Sequence, residues 1–449
     1  MNQKTLTQTS RKALLSLAFP IMIGNLAQTL ITLTDTAFLG RVSENALSAS
    51  IMTGIFYFIF VTLAWGFSIG IQVIIARRLG EGKFERIGVI FEHGMAFMFP
   101  LALLLFGCMH FFTEQLLGAV IQSPNIYPLA IQYMDFRHYG IGFVCFNYLF
   151  RALYVGLSDT KPISYSTGIM AVVNISLDYV LIFGKFGFPE MGVAGAALAS
   201  VCAELSTLVF FVCYSLLRLP IKKYALFTWH KLEGWLMKTI IGLSLPTMAQ
   251  RLLSIGVWFL FFIMVEHMGE RPIAVTGVIR SVYMLISIPA FALGVTANTV
   301  TSRLIGEGRR DEVLPTLKRT IILSMCCLSP ILLLCVAYPE SLLSIYTDDV
   351  SLIQDSIGSL YILGIATLAL SSGVIFFEAI SGLGETLHAM LLEAAVLVIY
   401  TAYVWFTAVH LNTDVMWVWG SEFIYWTCLG LFSWFYLRLR KNHTFYKNI

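Results

Sequence analysis

Between Ala13 and Leu39 the chain carries a single charge, Asp35, in a run that is otherwise apolar or neutral and holds one proline, Pro20. At about 1.5 Å of rise per residue, a helix over this stretch crosses a hydrocarbon layer of about 30 Å with some tilt. Asp35 then sits inside the membrane. A carboxylate there costs several kcal/mol unless it is protonated, paired or turned to a wet cavity, so it marks an ion, proton or substrate site. The plainer reading is an acid snorkelling from a helix end. Against it, the aspartate side chain is short and lies about 7 Å inside Gly40 at helical rise.

The rest of the chain repeats this pattern. With 58% apolar and 12% charged residues and a mean hydropathy of +0.79, it reads as a polytopic membrane protein whose immediate surroundings are the lipid bilayer. Twelve spans are expected, at 13–39, 47–75, 88–111, 133–156, 163–184, 190–217, 239–265, 273–300, 320–338, 358–381, 388–409 and 415–437. The first is too long for a signal-peptide core and is expected to be retained. Of the 29 basic residues, 22 fall at one side, among them Lys4, Arg77, Arg78, Lys222, Lys223, Arg309, Lys441 and Lys447. Arg41, Arg137, Lys185 and Arg271 fall at the other. The positive-inside rule therefore puts both termini in the cytoplasm, and the expected location is a bacterial inner membrane. A net charge of +3, dispersed over short loops, gives no support for nucleic-acid binding. Eight cysteines in or beside apolar runs, without a C-x-x-C pair, argue against disulfides and structural zinc.

Short motifs recur at one offset. Leu17-Ala-Phe-Pro20 returns as Leu243-Ser-Leu-Pro246, Arg77-Arg-Leu-Gly-Glu-Gly82 as Arg303-Leu-Ile-Gly-Glu-Gly308, and Gly156-Leu-Ser-Asp-Thr160 as Gly382-Leu-Gly-Glu-Thr386, each 226 residues later. Three matches in register argue for duplication of a six-helix unit. Six is even, so both copies start on the same side and are related by an axis along the membrane normal. The expected fold is an all-α integral membrane protein of twelve transmembrane helices in two six-helix lobes related by a pseudo-two-fold along that normal. Residues 1–217 form the N-terminal lobe, 218–238 a cytoplasmic interlobe linker of amphipathic character, and 239–449 the C-terminal lobe. Two facing lobes imply a cleft between them.

The offset also shows where the copies differ. Asp35 corresponds to Phe261, Asn174 to Tyr400 and Asp178 to Val404, so only the first copy carries the polar set. Asn174 and Asp178, four apart, share one helix face. Asp178 lies about 9 Å before Gly184, close to the depth of Asp35. Two carboxylates at one depth, when close together, couple so that a proton is held between them. With the amide of Asn174 they also offer oxygen ligands that suit Na⁺. Satisfaction by interhelical hydrogen bonds alone is the simpler alternative.

In these residues the chain resembles the multidrug and toxic compound extrusion (MATE) family. The likeness rests on Pro20, Asp35 and Thr36, the ARRLGEG turn after span two, the RALYVGLSDTKP stretch closing span four, the pair Asn174 and Asp178, and GVAGAALAS opening span six. It covers nearly the whole chain and looks most like the DinF-like branch. The resemblance implies a two-lobe antiporter that exports drug-like, cationic or amphipathic small molecules by alternating access. Re-entry of H⁺ or Na⁺ drives it, H⁺ being the expected ion here, and no cofactor is implied. It further implies that Asp35, Asn174 and Asp178 form the cation site, that span one bends at Pro20, and that the protein works as a monomer. Tyr133 matches a polar aromatic position of that branch's N-lobe pocket and Ser200 a hydroxyl position on span six. Arg151 departs from the branch, which carries an uncharged residue there.

Other charges fall within spans. Glu204 and Glu378 are acids that a cation exporter would set beside its cleft and, with Tyr133, Arg151 and Ser200, complete the candidates for the substrate cavity. Arg251, Arg280 and Glu422 read as paired structural charges. Aromatics such as Tyr57, Phe60 and Phe261 could stack on cationic drugs, but packing is the commoner role. Gly66-Phe-Ser-Ile-Gly70 fits the G-x-S-x-G pattern of serine hydrolases. That motif needs a strand-to-helix turn, whereas here the glycines read as a close-packing face inside a helix. An intramembrane hydrolase using Ser68 is thus a remote alternative, and a lipid or glycolipid flippase a nearer one. The expected protein is a transporter and no enzyme.

Overall fold

The membrane-length runs are helices in the computed structural model, which describes residues 9–440. Lys4, Lys441 and Lys447, counted above on one side, lie outside the described residues, as do both chain ends. In chain order α1 is Arg11–Val42, α2 Glu44–Gly80, α3 Glu85–Val120, α4 Tyr127–Arg137, α5 Gly140–Gly156, α6 Lys161–Ile182, α7 Val193–Arg218 and α8 the single turn Ile221–Tyr224. Then follow α9 Gly234–Glu266, α10 Glu270–Ile286, α11 Ile288–Gly306, α12 Val313–Ala337 and α13 Pro339–Leu343. The chain closes with α14 Val350–Gly382, α15 Thr386–Val404, whose end widens into a π-helix over Trp405–His410, and α16 Val415–Arg440.

Among the described residues nine helices are long and apolar enough to cross a membrane, and the bent pair α10 and α11 makes a tenth. The broken pair α4 and α5, together with α16, brings the number of spans to twelve, so the all-α, twelve-helix architecture expected from the sequence is the one found. Two spans expected to be continuous are not. The span at 273–300 bends by 47° at Ser287, where Pro289 in the next turn removes a backbone donor and crowds the carbonyl four residues back. The span at 133–156 starts earlier, at Tyr127, and breaks at His138 and Tyr139. Between α7 and α9 the chain is extended or turned, apart from the single turn α8, until α9 begins at Gly234.

The chain forms two compact units, residues 23–248 and residues 1–22 with 249–449. Their boundaries fall two residues beyond Pro20 and Pro246, at positions 226 apart. The repeated turns also agree in detail. Gly82 and Gly308 both adopt φ of +73°, a left-handed conformation open to glycine at little cost, and in each the preceding glutamate amide caps the helix by donating to an arginine carbonyl, Arg77 or Arg303.

In the unit 23–248, α2 is the central rod, and its small residues set how closely α9 approaches. A Cβ on Gly66 would come within 2.7 Å of the Met248 Cα, and Gly70 faces Ser244 at still closer range. Thr247 and Ser244 use that proximity to donate to the carbonyls of Gly66 and Phe67, at 2.7 and 2.9 Å. The two glycines are therefore a packing face, as the G-x-x-x-G reading expects, and Ser68 donates to its own helix at Trp65. In the other unit α14 and α16 touch through Gly373 and Gly430, around an aromatic core of Phe261, Tyr283, Tyr400, Trp419 and Trp426.

Candidate functional site

Helices α1 and α6 lie side by side, close enough that a Cβ on Gly24 would stand 3.2 Å from the Thr167 hydroxyl. This brings Asp35 to the face of α6 that carries Asn174 and Asp178. Asn174 is 1% exposed and Asp178 0%. Oriented by its surroundings, the Asn174 amide nitrogen donates to Asp35 Oδ1 at 3.0 Å and to Asp178 Oδ2 at 3.2 Å. The other end of the amide stands 3.5 Å from Ser200 Oγ, which can donate to it. The two carboxyl groups also lie within hydrogen-bonding reach of each other. Ionised carboxylates only accept, so a bond between them requires a proton. Asp178 Oδ1 has no partner among the described residues, an uncommon state for a buried oxygen and one that a bound cation would relieve.

A second charge pair stands beside the first group. Arg137 and Glu204 are joined by two hydrogen bonds of 2.8 and 2.5 Å, and the guanidinium lies 3.8 Å from the centre of the Tyr57 ring. Gly140 makes room for it, because a Cβ there would overlap both the Arg137 guanidinium and the Glu204 carboxylate. The break between α4 and α5 thus coincides with the ion pair. Arg137 is not the loop charge expected from the sequence: it is held inside the unit, and Glu204 is engaged by it. Tyr133, one turn earlier on α4, is buried within the electrostatic reach of Arg137, Asp35, Glu204 and Asp178. Arg151 is half-buried and donates over a long 3.4 Å to Asn25 on α1, a polar partner rather than an acid.

The unit 1–22 with 249–449 holds a different set. Glu378 accepts from Arg251 at 3.2 Å and from Asn298 at 3.1 Å. Glu422 accepts from Tyr400 at 3.4 Å and from Trp426 at 3.1 Å. Arg280 lies 5.5 and 5.9 Å from the rings of Phe262 and Trp258, so its neighbours are aromatic rather than acidic. Glu393 on α15 was missed by the sequence reading. It is buried and accepts from Ser254 at 2.6 Å and Tyr425 at 2.8 Å. The signal was there: an acid five residues inside an expected span needs a partner. Phe261 and Tyr400, the counterparts of Asp35 and Asn174, pack ring to ring at 6.2 Å, so the polar cluster belongs to one repeat.

Could the first cluster hold a metal ion? Na⁺ could draw on oxygens of Asp35, Asp178 and Ser200, joined by the Asn174 amide oxygen when that end of the amide faces them, and a proton between the two carboxyl groups goes with the amide nitrogen facing them.

A profile of the MatE family matches the chain twice, over residues 20–180 and 246–406, two equal stretches separated by the 226-residue offset of the sequence repeat. A probable multidrug resistance protein NorM of Thermotoga maritima is 29% identical over 399 residues, covering 85% of this chain and 82% of that one. The multidrug resistance protein MdtK of Edwardsiella ictaluri is 24% identical over 378 residues, with 81% of each chain covered. Among solved structures, an outward-facing multidrug resistance MATE family transporter of the MOP superfamily superposes with a TM-score of 0.88 at 20% identity, over 96% of both chains. The chain belongs to the MatE family, and it is a membrane transporter, not an enzyme.

Proposed function

We propose that this protein exports drug-like, cationic or amphipathic small molecules across a bacterial inner membrane, with both termini cytoplasmic, and that inward movement of H⁺ through the Asp35, Asn174 and Asp178 cluster drives the export. The observation that carries this reading is the cluster itself: two carboxyl groups within reach of each other, bridged by one amide, with one buried oxygen of Asp178 left without a partner among the described residues. Relatives described as multidrug resistance proteins support the drug-like part of this reading.

The chemistry follows from the geometry. With one proton between them the two carboxyl groups hold each other and the Asn174 amide, drawing α1 onto α6. Loss of that proton leaves two negative charges in one buried site, and they repel. Pro20 gives α1 a point at which to answer by bending, since its ring leaves the carbonyl of Ser16 without a helical donor. Substrate must favour the conformation that the proton disfavours, because a ligand moves an equilibrium only through differential affinity. Tyr133 and Ser200, which border the cluster, are the side chains through which a bound cation and a bound substrate would sense each other. The transporter acts as a monomer in this scheme.

The test is efflux of a fluorescent cationic dye from proteoliposomes with H⁺ and Na⁺ gradients imposed one at a time. An imposed proton gradient alone should drive dye movement. Movement with a sodium gradient alone would replace the coupling ion, and translocation of labelled lipid without dye movement would favour a flippase.

A further inference from the structure

The segment between α7 and α9 is held in a conformation that local preference opposes. Ala225, Phe227 and Trp229 all take left-handed backbone angles, with φ of +48°, +59° and +53°. For side chains of this size that conformation is unfavourable and persists only when the surroundings impose it. Glu92, buried near the start of α3, imposes it. Its carboxylate accepts the backbone N–H groups of Thr228, Trp229 and His230 at 2.8, 2.9 and 2.7 Å, and the His230 ring at 2.9 Å. The next residue, His93, pairs its Nδ1 with the Val89 carbonyl and accepts the Glu233 N–H on Nε2, both at 2.7 Å. That pattern fixes a neutral ring with its proton on Nδ1. Gly88 admits the Ala225 carbonyl, and Arg86 pairs with Glu233 at 2.5 Å.

This fastening sorts the side chains. Leu226 is fully buried and Phe227 turns to Phe91 at 6.2 Å, whereas Trp229 is 76% exposed, Leu232 62% and Trp235 58%. The same stretch of sequence carries Arg218, Lys222, Lys223, Lys231 and Lys238, while its one acid, Glu233, is taken by Arg86. Indoles combine an apolar body with an N–H donor, and lysine stems reach past them to place charge at headgroup level. The patch lies between the end of one membrane-length helix and the start of the next.

We propose that this patch is a docking surface for anionic phospholipid headgroups. Trp229, Leu232 and Trp235 enter the interface, and Lys222, Lys223, Lys231 and Lys238 face the lipid phosphates. Its positive, aromatic character complements an acidic leaflet, and the Glu92 clamp holds it in register with the helices. The surface is independent of the cation site.

The experiment uses the whole protein in nanodiscs of phosphatidylcholine with or without phosphatidylglycerol, and lipids brominated close to the headgroup. Subtracting the emission of Trp229→Phe from that of the wild type isolates Trp229. Its emission should be quenched by the brominated lipid, more strongly when the brominated lipid is phosphatidylglycerol. A variant with Lys222, Lys223, Lys231 and Lys238 all changed to Gln should lose that several-fold headgroup preference while retaining its elution profile. The Glu92→Gln variant should weaken the quenching even with all the lysines present. Trp229 emission open to aqueous quencher in every lipid would overturn the proposal, as would equal quenching with both headgroups. Copy-to-copy cross-linking through a cysteine at 229 would assign the surface to a second chain and overturn it too.

Discussion

Replacing Glu204 with glutamine removes one charge and almost no volume, so its effect reports on what that charge does for Arg137. The wild-type guanidinium donates twice to Glu204, at 2.5 and 2.8 Å, and lies against Tyr57. Removing one partner of a buried pair leaves the other ion uncompensated, a loss of about 3–5 kcal/mol. Arg137 has another carboxylate within electrostatic reach, Asp35. If it turns there, two unit charges about 6 Å apart at an effective dielectric near 20 attract by about 3 kcal/mol. That is about two decades of affinity, charged against every cation that must displace the guanidinium. Glu204→Gln should therefore raise the driving-cation concentration for half-maximal dye efflux about a hundredfold. The double variant Arg137→Gln with Glu204→Gln removes both charges and should return to within a few-fold of wild type. The assay is initial efflux rate from proteoliposomes against a stepped gradient, with protein recovery and elution profile checked for each variant. A folded Glu204→Gln with wild-type cation dependence would refute the reasoning, as would a double variant no better than the single one.

Gly66→Leu should sharply reduce the amount of folded protein recovered from membranes, because its side chain meets the Met248 backbone, while Gly54→Ala, which faces open space, should not. Asp349 caps α14, accepting from the Ser351 hydroxyl and from the amides of Leu352 and Ser351, and these bonds with the neighbouring Arg271 hold its carboxyl down at about 2. Since that lies below the usual carboxylate range, the cap is fully present at neutral pH and is lost only as pH falls through that range towards about 2. Proton exchange at the Leu352 amide should show this loss, and Asp349→Ala should show fast exchange already at neutral pH. Glu393→Gln, Phe261→Leu and Val404→Ala should each leave coupled efflux within a few-fold of wild type, because the proposed ion site lies in the repeat that lacks them. Loss of coupling in any of the three, with folding intact, would move the ion site.

The fold was legible because lipid simplifies the code: length and absence of charge mark a span, and motifs recurring at one offset mark a repeat. That Asp35 and Asp178 lie together was legible for the same reason, since helical rise converts residue number into position along a helix. Lateral neighbours were harder. Asn174 reaches both aspartates, which the i, i+4 spacing with Asp178 suggests but the approach of α1 decides. In the sequence Arg137 reads as a charge near the end of its span because that span is expected to begin at 133, whereas the helix begins at Tyr127 and puts Arg137 about three turns in, and its partner sits 67 residues on. The bend at Ser287 had a visible cause in Pro289, yet mean hydropathy is blind to a lost hydrogen bond. The fold of the segment after α8 depends on one carboxylate, Glu92, which in the sequence is only an acid near a helix start.

Dye efflux by purified Asp35→Asn and Asp178→Asn, under proton and sodium gradients imposed separately, tests the central claim most directly. Each change keeps the side-chain shape and removes the exchangeable charge. Both variants should insert and bind dye while gradient-driven efflux falls to the level of protein-free vesicles, with Asp178→Asn at most marginally milder. Wild-type rates from both folded variants under either gradient would show that coupling does not pass through this cluster.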